Sequence, residues 1–315
     1  MPYYLGIDGG GTKTTCVVGD DARILATAIS GPSNIVRVGE AQTRASLLEA
    51  VQQVCRGAGI SPTEISRTCV GGSGAARAEL AAVIRKILSE MVSTPVDVVG
   101  DHQTTLAAAF GEGPGVIVIA GTGSIAYGRD HNGRTARAGG WGFAIGDEGS
   151  AHWIGRTTVN AILRAADVSG EDAGSHDKPS SPLVSALFEA WGVTSLLGLA
   201  RAANAVPPPD FAALFPAVSA SAVSESGDPL AAEVLTAAGR ELARLAAAIT
   251  PRLFPSSIST IAVATSGGVF RHSAQVREVF YNELRSREPR AAIHPEVVDP
   301  VEGALRLARR AAHQE

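Results

Sequence analysis

Gly115-Val116-Ile117-Val118-Ile119-Ala120-Gly121-Thr122-Gly123-Ser124 is the stretch whose reading decides the fold. A continuous apolar run bounded by glycine reads as a buried strand. The Gly-Thr-Gly-Ser that follows reads as a turn whose N–H groups point outward past few Cβ atoms, a setting that suits phosphate oxygens. Taken alone, an ordinary hairpin turn is the better reading. The stretch runs on to Gly139-Gly140-Trp141-Gly142 and Gly146-Asp147-Glu148-Gly149-Ser150. There an aromatic ring and two carboxylates on a second glycine-rich turn offer polar contacts to a ligand. What favours a ligand is that glycine turns of this kind recur at both ends of the chain.

Working outward, residues 3–8 read as a strand, Gly9-Gly10-Gly11-Thr12-Lys13-Thr14 as its turn, and residues 15–18 and 23–29 as two further strands. This is a meander. A Walker A loop needs Gly-Lys before Ser/Thr at the mouth of a helix, whereas here Thr12 precedes Lys13 and a strand follows. A dinucleotide fingerprint needs the same strand-to-helix context and is excluded likewise. Apolar residues at helical spacing follow, first Leu47, Leu48, Val51, Val54 and Cys55, then Leu80, Val83, Ile84, Ile87, Leu88 and Met91. Between them residues 67–70 read as a strand ending in Gly71-Gly72. Residues 96–99 read as another, ending at Asp101 with a helix beyond it.

After a break at residues 111–115 the pattern restarts, with strands over 116–120 and 125–129 and a third over 135–138. Residues 149–252 read as a helical segment, broken at Pro182, at Pro207-Pro208-Pro209 and at Gly227-Asp228-Pro229. A strand over 261–264 opens onto Thr265-Ser266-Gly267-Gly268 and a helix. Residues 291–298 read as an edge strand and 302–310 as a closing helix. The halves form an internal repeat. The expectation is therefore an α/β protein of two lobes, 1–112 with the closing helix 300–315, and 113–299 with the helical segment 149–252. A ligand is expected in the cleft between them.

The 315 residues are 45% hydrophobic and 18% charged, with a net charge of -4. No basic block points to nucleic acid. No apolar run approaches membrane-spanning length, and the N-terminus lacks the charged-then-apolar pattern of a signal. A cytoplasmic location with no membrane partner is expected. Cys16, Cys55 and Cys69 lack CxxC spacing, and no cysteine follows Cys69. Disulfide frameworks, cysteine zinc sites and ligated iron–sulfur clusters are thereby unsupported, and the three read as small buried apolar residues.

Four features fall at strand ends: the turn after Asp8, Asp101, the Gly121–Ser124 turn and Ser266-Gly267-Gly268. Two such turns facing one another could grip a polyphosphate. Asp8 suits a water-mediated Mg²⁺ contact, since Mg²⁺ keeps most of its waters and takes few carboxylates. Gly267-Gly268 leaves room for a flat adenine. Residues 6–14, Ala120-Gly121-Thr122-Gly123-Ser124 and 139–150 resemble the actin/hexokinase/Hsp70 ATPase superfamily. Within it the chain looks like the N-acetylglucosamine kinase group of the BadF/BadG/BcrA/BcrD ATPase family.

That resemblance implies two ribonuclease H-like lobes and an ATP-dependent, Mg²⁺-assisted kinase acting on the C6 hydroxyl of an amino sugar, N-acetylglucosamine first. Glucosamine and N-acetylmuramate are the alternative substrates, and a homodimer is the expected assembly. It implies ATP contacts at Gly10, Gly11, Thr12, Lys13, Gly121, Thr122, Gly123, Gly267 and Gly268. Sugar contacts fall at Asn34, Ser124, Gly140, Trp141 and Asp147, and Asp101 lies beside the acceptor hydroxyl. The match is looser around Ser224 and Gly227-Asp228, where no adenosine contact is assigned. An ATPase activating a 2-hydroxyacyl-CoA dehydratase is a weaker alternative, because those proteins hold an iron–sulfur cluster through cysteines this chain lacks beyond Cys69. A sugar-sensing repressor would need a DNA-binding segment before the first strand.

Several residues carry a plainer reading. Asp101 also suits the N-cap of a helix starting near Gln103. Trp141 reads equally as core or as a wall for a sugar ring. Glu148 reads as a cap for a helix at Ser150, Lys13 as surface or a loose phosphate contact, and His102 and His152 as structural.

Overall fold

Two β-sheets of five strands each carry the chain, and both use one strand order. The computed structural model describes residues 1–72, 74–75, 77–169, 181–207, 209–224 and 227–313. The first sheet comprises β1 (Tyr3–Gly9), β2 (Thr14–Gly19), β3 (Ile24–Ser30), β4 (Ile65–Gly72) and β5 (Val96–Gly100), in the order β3-β2-β1-β4-β5. The second comprises β6 (Gly115–Ala120), β7 (Ser124–Arg129), β8 (Thr135–Gly139), β9 (Ile261–Ser266) and β10 (Ala291–Val298), in the order β10-β9-β6-β7-β8. Read from its other edge, the second order is the first again: a three-strand run whose opening strand is central, with two later strands added on its far side.

In the first sheet β1 pairs antiparallel with β2, and β2 with β3, while β1–β4 and β4–β5 are parallel. Short turns suffice for the antiparallel pairs, but the parallel ones need crossovers. These are α1 (Ile35–Ala58), between β3 and β4, and α2 (Ala78–Leu88), between β4 and β5. Alternation along the strands feeds two cores. Leu5, Ile7, Cys16 and Val18 pack with Leu47, Val51, Val54 and Cys55 of α1 and with Ile84, Ile87 and Leu88 of α2. Tyr4, Val17 and Cys69 point to the opposite face.

The remaining helices are α3 (Asp101–Phe110), α4 (Ala151–Ser169), α5 (Pro182–Trp191), α6 (Leu196–Ala203), α7 (Phe215–Val223), α8 (Pro229–Leu253), α9 (Gly268–His272), α10 (Ala274–Arg287) and α11 (Pro300–His313). Val301, Ala304, Leu305 and Ala308 of α11 cover the second face of the first sheet. A Cβ on Gly303 of α11 would lie 1.8 Å from the carbonyl oxygen of Thr104, so α11 meets α3 backbone to backbone. That contact seats α3, whose first residue is Asp101.

Two compact units result. One is Met1–Ile117 with Arg129–Gly133 and Val298–Glu315, and the other is Val118–Gly128 with Arg134–Val297. The expected helical segment 149–252 spans α4 to α8; residues 170–180, Pro208 and 225–226 within it lie outside the described residues. Its helices start where the sequence marks them. Ser181 and Asp228 cap α5 and α8, each followed by proline at the first helical position. One helix is longer than its apolar pattern. α1 begins at Ile35, capped by Asn34, and kinks at Gly39 (φ 75°) before the stretch that carries the helical spacing. Its opening turn exposes Val36, so no buried stripe announces it. Among the described residues no single helix is long and apolar enough to cross a membrane; only the bent pair α5–α6 passes jointly by length and composition. Leu183, Val184, Leu187, Phe188 and Leu199 of that pair are buried, as in a core.

Candidate active site

In the first unit the site residues gather at the carboxyl ends of the parallel strands, where open α/β sheets present ligands. Gly9 is in register with Gly72, and Gly72 with Gly100, so a row of glycines crosses β1, β4 and β5. Asp8 precedes this row on β1, opposite Gly71 and Thr15, and Asp101 follows it directly after β5, as the first residue of α3. The turn of residues 10–13 is closed by Gly10 N–H donating to Lys13 O at 3.0 Å. Gly10 O in turn accepts from Ser33 N and Asn34 N, both at 3.1 Å. Buried Thr14 and Ser33 hold their hydroxyl oxygens 2.6 Å apart. Asn34 is thus tied to the first glycine turn; its Oδ1 caps α1 through Val36 N at 3.1 Å, and among the described residues its Nδ2 has no hydrogen-bond partner. Thr12 and Lys13 are exposed at the tip. Ser33, which welds the two segments, went unassigned in the sequence reading; the signal for it lay in its place beside Asn34 in Gly31-Pro32-Ser33-Asn34.

α3 starts at Asp101 itself, with Gly100 as its N-cap and no side-chain cap bond. The capping alternative, which placed the helix near Gln103, does not describe this residue. The Asp101 carboxylate accepts from His102 N at 2.9 Å and lies 3.7 Å from His102 Nδ1. The carbonyl oxygen of Asp101 accepts from the hydroxyls of Thr104 and Thr105 at 2.9 and 2.8 Å, which fixes the first turn of α3 and leaves the half-exposed carboxylate at its start.

In the second unit the turn of residues 121–123 joins β6 to β7, closed by Gly121 N donating to Gly123 O at 2.9 Å. It is bound to the start of α4: Ala151 N donates to Gly121 O at 2.9 Å and His152 N to Thr122 O at 3.3 Å. Ser150, not Glu148, caps α4 through Trp153 N. Buried Ser124 donates its hydroxyl to Glu148 O at 2.7 Å, and its carbonyl accepts from Gly140 N at 3.0 Å. Gly267 (φ 102°) lies against the same turn, since a Cβ there would come within 2.3 Å of Ala120 O. Gly121, Ser124, Gly140, Asp147, Gly267 and Gly268 therefore form one neighbourhood.

Asp147 locks it. This non-glycine residue holds φ 60° and is buried. Its carboxyl accepts from the backbone N–H of Ser124 and of Gly142, and burial pushes its pKa up despite those bonds, with the Glu148 charge adding to the rise. A Cβ on Gly123 would meet it at 2.8 Å. The sign follows from a folded value above the ordinary 3.8. The stability it contributes is complete below about pH 3.8 and is lost as pH rises through the higher folded value. Asp147→Asn removes that titration. Denaturation midpoints against pH should show wild type losing ground to the variant above about pH 3.8, and a difference constant with pH would show that folding does not raise the pKa of this carboxyl.

Trp141 is 66% exposed, which removes the core reading. The guanidinium of Arg137 stacks over it, 4.4 Å from the ring centroid. The His152 ring sits between Phe143 and Phe211, at 5.1 and 5.2 Å, a structural place. Burial pushes the Cys55 thiol up to about 11 and that of Cys69 up to about 12, so neither is a ready nucleophile. Among the described residues no cluster of three metal-ligating side chains exists. A Mg²⁺ that keeps its waters and rides on phosphate oxygens asks for no such cage, and the single carboxylate of Asp8 beside the first glycine turn fits it.

The BadF/BadG/BcrA/BcrD ATPase family matches residues 5–308. The chain is 31% identical over 319 residues to the N-acetylmuramic acid/N-acetylglucosamine kinase of Clostridium acetobutylicum, covering 98% of this chain and 99% of that protein. It is 27% identical over 319 residues to the N-acetyl-D-glucosamine kinase of Dictyostelium discoideum, covering 97% of each. A Chromobacterium violaceum protein provisionally named an N-acetylglucosamine kinase has the same fold, with a TM-score of 0.75 at 28% identity over 98% of this chain and 99% of that one.

Proposed function

The chain belongs to the BadF/BadG/BcrA/BcrD ATPase family, and from that premise we propose that it is an amino-sugar kinase, transferring the γ-phosphoryl group of ATP to the C6 hydroxyl of N-acetylglucosamine. The observation that carries the reading is Asp101, a half-exposed carboxylate set by a helix start at the same strand ends as Asp8 and the Gly9–Gly72–Gly100 row. The kinase names of the relatives support it.

Phosphoryl transfer asks a protein mainly for positioning and charge stabilisation. The N–H groups of residues 10–13 and 121–123, with Thr12, Thr122 and Lys13, hold the phosphates, and Gly267-Gly268 accommodates adenine. Mg²⁺, when bound near Asp8, neutralises phosphate charge. Asn34, Trp141 and the backbone of Gly140 orient the sugar, and Asp147 and Ser124 keep that segment in place. Asp101 accepts a hydrogen bond from the acceptor hydroxyl, aligns it and takes its proton as the O–P bond forms. A homodimer in the cytoplasm, where ATP is present, completes the reading.

ATP consumption should be followed with glucose, glucosamine, N-acetylglucosamine, N-acetylmannosamine and N-acetylmuramate. The expected result is turnover with N-acetylated amino sugars and little with glucose. Turnover of glucose equal to that of every amino sugar would overturn the amino-sugar assignment.

A further inference from the structure

We infer that Arg137 recognises a carboxylate carried by the sugar, so that acidic amino sugars with a short carboxylated ether arm belong among this protein's substrates; this rests on the amino-sugar kinase reading and on Trp141 walling the sugar. Arg137 projects from β8 and is exposed. It is nonetheless held: its guanidinium lies 4.4 Å from the Trp141 ring centroid, and Nη1 reaches the carbonyls of Gly139 and Gly140 at 3.4 and 3.3 Å. Those two long contacts occupy one nitrogen. Among the described residues Nε and Nη2 have no hydrogen-bond partner, and they keep the fork geometry that matches a carboxylate.

Other arginines gather round it. Arg252 Nη1 donates to Arg137 O at 2.9 Å, and Arg134 Nη2 donates to Arg252 O at 2.7 Å. On the other flank of the loop, Arg156 Nη1 lies 3.3 Å from Phe143 O. Among the described residues no carboxylate pairs with Arg137, whereas Arg44, Arg287 and Arg310 pair with Glu90, Glu283 and Glu112. Of the two carboxyls in this segment, Asp147 is buried and already accepts two backbone N–H groups, and Glu148 beside it forms no ion pair with Arg137 among the described residues. A stacked, pre-oriented guanidinium left without a counter-ion beside a ring-binding wall is suited to an anionic substituent of the ring's occupant.

The test compares N-acetylmuramate with N-acetylglucosamine in wild type, Arg137→Met and Arg137→Lys. In the methionine variant kcat/KM for the acidic sugar should fall by about 10- to 100-fold, the range of a lost charge-assisted bond, and that for the neutral sugar by less than about threefold. Lysine should recover part of the loss, since it restores charge without the fork. Raising salt should raise KM for the acidic sugar alone in wild type. Equal losses for both sugars would make Arg137 a prop for the Trp141 loop and overturn the inference, as would a wild type that phosphorylates N-acetylglucosamine but neither binds nor phosphorylates N-acetylmuramate. Wild type inactive on both sugars would instead bring down the kinase reading, and the inference with it.

Discussion

Asp101→Asn is expected to lower turnover by about 10²–10⁴-fold, the usual contribution of a general base, while leaving the protein folded and ATP affinity nearly unchanged. The substitution keeps size and one carbonyl oxygen, so the bond from His102 N at 2.9 Å survives. It also spares the bonds from Thr104 and Thr105, which go to the main-chain oxygen of residue 101. The cap of α3 is Gly100, so no helix-capping contribution is at stake beyond that one bond. What is lost is the proton acceptor. Sugar affinity should drop only a few-fold, because an amide oxygen still accepts from a hydroxyl. Steady-state rates with calorimetric titration of both ligands separate these outcomes. Turnover within about threefold of wild type would remove Asp101 from the mechanism, and with it the chemical argument for a kinase.

The architecture was legible because each lobe states its hairpin in short apolar strands punctuated by glycine, and in the first sheet the parallel strands β4 and β5 each follow a helix with a buried stripe. The repeated strand order follows from that punctuation. Less legible were places where the deciding contact is between main-chain atoms or distant residues. The first turn of α1 carries exposed Val36 and a kink at Gly39, so no period marks it. Asp101 reads as a cap in sequence because an aspartate before a helix usually is one; in the fold the helix starts at Asp101 itself, two residues before Gln103. Trp141 is apolar enough for a core, and nothing local tells that Arg137 covers its face. Ser124 and Asp147 stand in the right segments, yet their engagement with Glu148 O and with the backbone of Ser124 and Gly142 is tertiary, and composition is silent about it.

The two glycines that flank the second turn should respond to a side chain in opposite ways. A Cβ built on Gly121 meets no atom within 4 Å, and Gly121 is absent from the positive-φ residues. Gly121→Val should therefore fold with a thermal midpoint near that of wild type. Its isopropyl group would stand in the space that phosphate oxygens need to reach the N–H groups of the turn. ATP affinity should fall at least about 100-fold, equivalent to about 2.7 kcal/mol. Gly267 is the reverse case. It holds φ 102°, and a Cβ there would lie 2.3 Å from Ala120 O and 3.0 Å from Gly121 N. Gly267→Val must move β6 away or leave the allowed backbone region, where strain alone is of order 1–3 kcal/mol. That variant should lose stability first and nucleotide binding as a consequence. Thermal unfolding and ATP titration on both proteins distinguish the roles. A folded Gly121→Val protein that binds ATP as wild type does would show that this turn is not the phosphate cradle, whatever becomes of the Gly267 variant. An unshifted midpoint in Gly267→Val would show that β6 and the 266–268 turn are not packed as tightly as the Cβ distances require.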